Sequence, residues 1–234
     1  MLEKLKLQVL LANQQLEKNN LVTYTWGNVS GIDREKNLIV IKPSGVPYQE
    51  LTPELMTISD LNGNIINSLT RPSTDLMTHI ELYLRFPSIG GVAHTHSKWA
   101  TVWAQRFKGI PCFGTTHADF FYGEIPCTPT MPIELVESEY ELHTGEWIIK
   151  YFNEKNINYK KVPSVLVGSH GPFSWGNDAF QAVMYSTIVE RVAELAYFTQ
   201  LDTEIKPLED YYIQKHFDRK HGEGAYYGQK KLCN

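Results

Sequence analysis

Ile89-Gly90-Gly91-Val92-Ala93-His94-Thr95-His96 runs directly into Ser97-Lys98-Trp99-Ala100-Thr101-Val102-Trp103. The first part is short and apolar and opens on a glycine pair, which reads as a strand from Ile89 to His96. Ser97 stands where a helix cap belongs, and Ala100, Trp103 and Phe107 follow at helical steps. A strand that passes straight into a helix belongs to an α/β architecture, and the rest of the chain can be read outward from it.

The same two periods alternate on either side. Leu2, Leu5, Val9, Ala12 and Leu16 step by three and four, predicting a helix that ends near Asn19-Asn20. Leu38 to Lys42 is a β-branched run ahead of Pro43-Ser44-Gly45, strand then turn, and Ile58 to Ile66 reads as a hairpin about Asn62-Gly63. Leu76, His79, Ile80, Tyr83 and Leu84 mark a helix stopped by Pro87. Trp147, Ile148, Tyr151 and Phe152 mark another, and Val165-Leu166-Val167 is a buried strand. From Asn177 to Thr199 the pattern turns Ala179, Ala182, Val183, Ser186, Val189 and Ala193 inward, and a last helix runs near Leu208 to Lys220. No repeat or linker interrupts this. The expectation is one α/β domain over residues 1–234 with a mixed or largely antiparallel sheet.

Of 234 residues, 42% are hydrophobic and 21% charged, and the formal charge is −4. That balance excludes a disordered, collagenous or coiled-coil chain and argues against nucleic acid or an anionic membrane as partner. No run approaches the ~18 apolar residues of a membrane span, and the N-terminus lacks the apolar stretch of a signal peptide. Cys112, Cys127 and Cys233 form no Cys-X-X-Cys pair and leave an odd thiol. The expected compartment is therefore the reducing cytoplasm.

Chemistry concentrates at His94-Thr95-His96. Residues two apart on a strand share a face, so both imidazoles would project together and form half of a tetrahedral metal site. His170 follows a second apolar strand and precedes Gly171, and Asp75 supplies a carboxylate in the first turn of its helix. Three histidines and one acid suit zinc, although His-X-His also arises by chance and a lone pair serves equally as structural or surface histidine. His79, beside Ile80 and Tyr83, reads as a satisfied core histidine; His117, His143 and His221 carry weaker claims. Three further segments suit an anion: Trp26-Gly27-Asn28-Val29-Ser30, Lys42-Pro43-Ser44-Gly45 and Arg71-Pro72-Ser73-Thr74-Asp75. Each offers hydroxyl, amide or cationic groups on a small-residue loop, and the last leads into a helix N-terminus. Each is also ordinary turn chemistry. None matches a P-loop or dinucleotide fingerprint. The residues alone reach a metal-dependent enzyme for a small phosphorylated substrate.

Those motifs, together with Gly114-Thr115-Thr116-His117-Ala118-Asp119, His170-Gly171-Pro172-Phe173, Lys215-His216, Arg219-Lys220-His221-Gly222 and Ala225-Tyr226-Tyr227-Gly228-Gln229, resemble the L-ribulose-5-phosphate 4-epimerases. These are a family within the class II aldolase and adducin-head superfamily, and the resemblance covers nearly the whole chain. It implies an α/β/α layered fold around a central, mostly antiparallel sheet, assembled as a homotetramer with active sites at subunit interfaces. It implies one Zn²⁺ per subunit on His94, His96 and His170 with Asp75; a three-histidine site by its chemistry also fits Mn²⁺ or Co²⁺. Phosphate and substrate would be held by Gly27, Asn28, Lys42, Ser44, Gly45, Ser73 and Thr74. Asp119 and Tyr227 match the acid–base pair, contributed across the interface, with Thr115, Glu141, His216 and Arg219 at supporting positions. Two departures stand out: Thr74 replaces a customary serine, and Lys230-Lys231-Leu232-Cys233-Asn234 is an added tail, expected to be disordered.

The implied reaction interconverts L-ribulose 5-phosphate and D-xylulose 5-phosphate, as in arabinose or ascorbate catabolism. The ketone lies at C2 and the inverted centre at C4, too far for an acidic α-hydrogen. Breaking C3–C4 instead leaves an enediolate, the kind of charge a Lewis acid stabilises. The aldehyde fragment then turns and is re-attacked on its other face. A proton leaves O4 of one epimer and returns to O4 of the other, which calls for two groups on opposite sides. Two rival readings are a class II sugar-phosphate aldolase of the L-fuculose-1-phosphate type, which carries glutamate at position 75, and a non-catalytic adducin-like interaction module.

Overall fold

A computed structural model of the chain describes residues 2–202 and 204–227. The expected tail at 230–234, Cys233 and the Gly228-Gln229 end of the last motif lie outside the described residues. Strand alternation builds the layers. On β2 (Leu38–Ile41), Ile39 and Ile41 enter one core while Val40 enters the other. β1 (Asn28–Asp33) divides in the same way, Ile32 to the first core and Val29 to the second. β3 (Thr57–Asp60) and β4 (Ile65–Asn67) form the expected hairpin, and β5 (Gly91–His94) sends Val92 and Ala93 to opposite faces. With β6 (Ser164–Val167) and β7 (Gly171–Gly176) they form a seven-stranded sheet, order β4-β3-β2-β1-β5-β7-β6. All its pairings are antiparallel.

Helices cover both faces. On one side α2 (Leu76–Arg85) and α6 (Tyr140–Glu154) bury Leu76, Ile80, Tyr83, Ile148 and Phe152 against the sheet. On the other, α1 (Glu3–Lys18) and α7 (Ala179–Thr199) bury Val9, Ala12, Leu16, Ala182 and Val183. Full burial of one such leucine, isoleucine or phenylalanine contributes about 1.5–3 kcal/mol, which is what holds the layers together. α3 (Lys98–Gln105) packs against α7, β6 and β7, with Trp103 donating to Ala193 O at 2.9 Å. The short α4 (Thr115–Ala118) packs with α8 (Asp210–His221), and α5 (Ile133–Val136) precedes α6. This is the α/β/α arrangement expected. Among the described residues no helix is long and apolar enough to cross a membrane.

Some local expectations change. β5 stops at His94, so His96 lies beyond the strand. Phe107 falls past α3 with φ of 53° and is partly exposed, not on the helix's inner face. Ser97 occupies the cap position of α3, yet its Oγ is buried and has no hydrogen-bond partner among the described residues. The cap comes from α7 instead: the Glu190 carboxylate accepts from Trp99 N at 2.9 Å and Ala100 N at 3.0 Å. The segment 28–30, read as loop, opens β1.

Candidate metal and phosphate site

Sheet register draws the site together. Asn28 on β1 pairs with His94 at the end of β5, and His94 pairs with Phe173 on β7. His170 sits in the turn immediately before β7, and Lys42 follows β2 directly. The approach is close enough to require glycine at position 27, where φ is 96° and a Cβ would lie 2.7 Å from His94 O.

His94, His96 and His170 each offer a ring nitrogen, and these nitrogens all lie within 4.8 Å of one another. His94 Nδ1 donates to Pro172 O at 3.0 Å, which leaves Nε2 with its lone pair, and the ring stacks on Phe173 at 4.1 Å. His170 Nδ1 lies 3.3 Å from Tyr140 Oη. Burial pulls the pKa of His94 down to about 3, with His96 adding to it. His170 falls to about 3 by burial and its two neighbours, and burial lowers His96 as well. Three neutral imidazoles thus converge, each with one ring nitrogen that carries a lone pair. That donor set fits a borderline ion such as Zn²⁺.

Asp75 is not one of the three converging groups but lies near enough for its charge to act on His96 and His170. It is the residue before α2 rather than part of its first turn, and its Oδ2 accepts from Asn28 Nδ2 at 2.6 Å. The same amide nitrogen lies 2.9 Å from Ser73 Oγ. Asn28 therefore ties the histidine side of the site to the anion loops. Those loops are joined to each other: Ser44 N donates to Arg71 O at 2.9 Å, and Ser73 N to Lys42 O at 3.1 Å. All surround one open cavity of about 560 Å³, lined by Gly27, Asn28, Lys42, Ser44, Gly45, Ser73, Thr74, Asp75, the three histidines, Tyr140 and Glu141. Lys42 is buried and, among the described residues, pairs with no acid. Its Nζ donates to Pro43 O at 3.2 Å, and burial pulls its pKa down to about 8.

A second group lies elsewhere on the chain. Arg219 grips Asp119 with Nε at 2.9 Å and Nη2 at 2.7 Å, and His216 Nδ1 is 3.1 Å from the same carboxylate. Burial raises the Asp119 pKa, but the hydrogen bonds from Arg219 and His216 outweigh it and hold the carboxyl below its ordinary range. Arg219 also lies over the Tyr227 ring at 4.7 Å, and that ring is about half exposed. None of Asp119, His216, Arg219 or Tyr227 lines the cavity, nor does Thr115, which is exposed at the start of α4. One chain thus carries two separated sets of the expected residues.

Three residues escaped the sequence reading: Tyr140 contacts His170, Tyr48 lies under Lys42 with its ring centroid 5.0 Å from Nζ, and Glu190 caps α3. Only long-range packing brings them there, so no local pattern marks them. His221, given only a weak claim, meets Asp119 O through Nε2 at 2.9 Å. His79 is only partly satisfied: Nδ1 meets Ser30 Oγ at 2.7 Å, while buried Nε2 has no partner among the described residues. His117 bonds Gly123 O and His143 bonds Glu146, both away from the cavity.

The chain is similar to known proteins over most of its length. The class II aldolase and adducin N-terminal domain family matches residues 7–197. The protein from Salmonella paratyphi B called L-ribulose-5-phosphate 4-epimerase UlaF is 49% identical over 230 residues, 98% of this chain and all of that one. Its counterpart in Salmonella typhi gives the same identity and coverage. Among solved structures, an L-fuculose 1-phosphate aldolase superposes with a TM-score of 0.79 at 21% identity, covering 92% of this chain and 95% of that one. The Escherichia coli protein YgbL, described as a putative aldolase/epimerase/decarboxylase, gives 0.72 at 19% identity, with coverage of 91% and 97%. At such identity the two structures speak for the fold alone.

Proposed function

The chain belongs to the class II aldolase and adducin N-terminal domain family, and we propose that it is a zinc-dependent L-ribulose-5-phosphate 4-epimerase acting by C3–C4 cleavage and re-formation. The observation that carries this reading is the bridge through Asn28, whose amide joins an anion-loop hydroxyl to Asp75 beside three converging imidazoles. It supports a substrate held at a phosphate and at a reacting centre simultaneously.

Lys42, with the Ser44-Gly45 and Ser73-Thr74 loops, holds the phosphate; among the described residues the buried ammonium has no carboxylate partner to give up. His94, His96 and His170, with Asp75 beside them, hold the metal. When bound, the ion supplies Lewis-acid stabilisation of the negative charge left on the ketone fragment. The phosphate loops keep the aldehyde fragment in place while its carbonyl turns. Asp119, ionised at neutral pH, and Tyr227 exchange the O4 proton from opposite sides. Because they lie apart from the cavity of their own chain, they come from a second copy, which makes the homotetramer part of this proposal. A single domain over 1–234 belongs to it too, as does cytoplasmic residence in arabinose or ascorbate catabolism. Cys112 and Cys127, buried and free of any disulfide among the described residues, accord with a reducing compartment.

The test is conversion of L-ribulose 5-phosphate to D-xylulose 5-phosphate, with and without a chelator. Conversion abolished by the chelator and restored by Zn²⁺ is expected. Release of dihydroxyacetone and glycolaldehyde phosphate without conversion would instead make the protein an aldolase. Zinc-loaded protein that acts on neither substrate nor fragments would sink the epimerase reading.

A further inference from the structure

His94 and His170 are oriented by different means. His94 leans on a backbone carbonyl, Pro172 O, fixed by the sheet. For His170, in a turn whose preceding Ser169 has φ of 62°, the Nδ1 partner among the described residues is a side chain, Tyr140 Oη at 3.3 Å. Tyr140 is the first residue of α6, and it lines the cavity. Its place is set by the packing of α6 on α2. Thr78 Oγ1 donates to Glu141 O at 2.5 Å, and Thr144 Oγ1 to Tyr140 O at 2.8 Å. Gly145 lets the helices meet: a Cβ there would lie 2.6 Å from Glu81 Cβ.

An imidazole that presents Nε2 to a cation carries its proton on Nδ1, and the acceptor of that proton fixes the tautomer and the ring angle. We propose that Tyr140 is a positioning residue whose hydroxyl accepts the Nδ1–H of His170 and thereby sets the affinity of the three-histidine centre for its metal. The inference rests on the metal reading above. It makes one ligand depend on the α2–α6 contact, while His94 depends on the sheet. A phenylalanine at 140 preserves ring packing and removes the acceptor alone.

The experiment uses the full-length protein and its Tyr140→Phe and Gly145→Ala variants. Zn²⁺ affinity is measured by competition with a chromophoric chelator, the visible absorption of the Co²⁺-loaded protein is recorded, and the metal-free proteins are melted. Tyr140→Phe is expected to weaken Zn²⁺ binding by about 10- to 100-fold, to alter the Co²⁺ bands, and to leave the metal-free melting temperature unchanged. Gly145→Ala, which displaces the helix but keeps the hydroxyl, should weaken Zn²⁺ binding as well. Parent-like affinity and Co²⁺ spectrum in Tyr140→Phe would overturn the proposal. So would an affinity loss matched by destabilisation of the metal-free protein, because the hydroxyl would then be structural. A parent protein that takes up neither ion overturns the metal reading itself, and this one with it.

Discussion

The ammonium of Lys42 lies 5.0 Å from the centre of the Tyr48 ring, in a buried position where no acid among the described residues pairs with it. Tyr48 is itself fully buried, and its hydroxyl donates to Trp26 O at 3.0 Å and Gly27 O at 2.8 Å. One side chain therefore steadies both the cation and the loop that approaches His94. A cation over an aromatic face gains about 0.5–2 kcal/mol according to its desolvation. Tyr48→Leu should accordingly raise KM for the phosphorylated substrate by roughly 2- to 30-fold. Tyr48→Phe, which keeps the ring, should leave KM near the parent value and lower thermal stability through the lost hydroxyl. Equal KM values for Leu and parent would show that the ring does nothing for Lys42.

The capping of α3 gives a second expectation, one of stability. Glu190 on α7 accepts from the first amides of α3, while the hydroxyl of Ser97 at the cap position has no hydrogen-bond partner among the described residues. Glu190→Ala should cost about 1 kcal/mol, a fall of roughly 2–4 °C in melting temperature for a chain of this size. Ser97→Ala should be close to neutral. A larger loss for Ser97→Ala in a thermal melt would reverse the assignment.

That cap also shows where sequence reading stops. Ser97 has the right residue type at the right position, but a carboxylate 93 positions later serves the amides, and no local pattern announces it. The helical periods of α1, α2, α6 and α7 were legible because each buries one face, and the β2 run and the Asn62-Gly63 turn were legible for similar local reasons. β1 was not: Asn28-Val29-Ser30-Gly31-Ile32-Asp33 has little β propensity. It is a strand because it sits between β2 and β5, with Ser30 buried against His79 and Tyr83 at 2.7 and 2.8 Å. For the site, His94, His96, His170 and the anion loops could be read from spacing and residue type. Tyr140, Tyr48 and the separation of Asp119 and Tyr227 from the cavity depend on packing between distant segments.

Arg219 and Asp119 set an expectation in pH. The Asp119 carboxyl is held below its ordinary range because hydrogen bonds from Arg219 and His216 outweigh burial. A carboxyl with a lowered folded pKa contributes stability above its unfolded pKa and loses it as pH falls through the folded one. Arg219→Met removes the stronger of the two bonds and leaves the burial, so the pKa of Asp119 rises. The acid limb of the pH–rate profile should therefore move to higher pH, and acid unfolding should begin earlier. An unshifted acid limb would separate Asp119 from the proton transfer.

The distance between the two residue sets leads to the most direct test. If each site combines His96 of one copy with Asp119 of the next, His96→Asn and Asp119→Asn are each inactive alone but complement one another in a mixed assembly. A cyclic arrangement has heterologous interfaces, each joining two different surfaces. In an equal, random mixture a site is intact only when an Asp119→Asn chain supplies the histidines and a His96→Asn chain supplies the aspartate. That happens at about one site in four. Co-expression of the two variants under different tags, with purification through both, should yield assemblies with about a quarter of parent activity or somewhat more. Assemblies shown to contain both variants but lacking activity would place Asp119 and the three histidines in the same copy's site, and the shared-site proposal would fall.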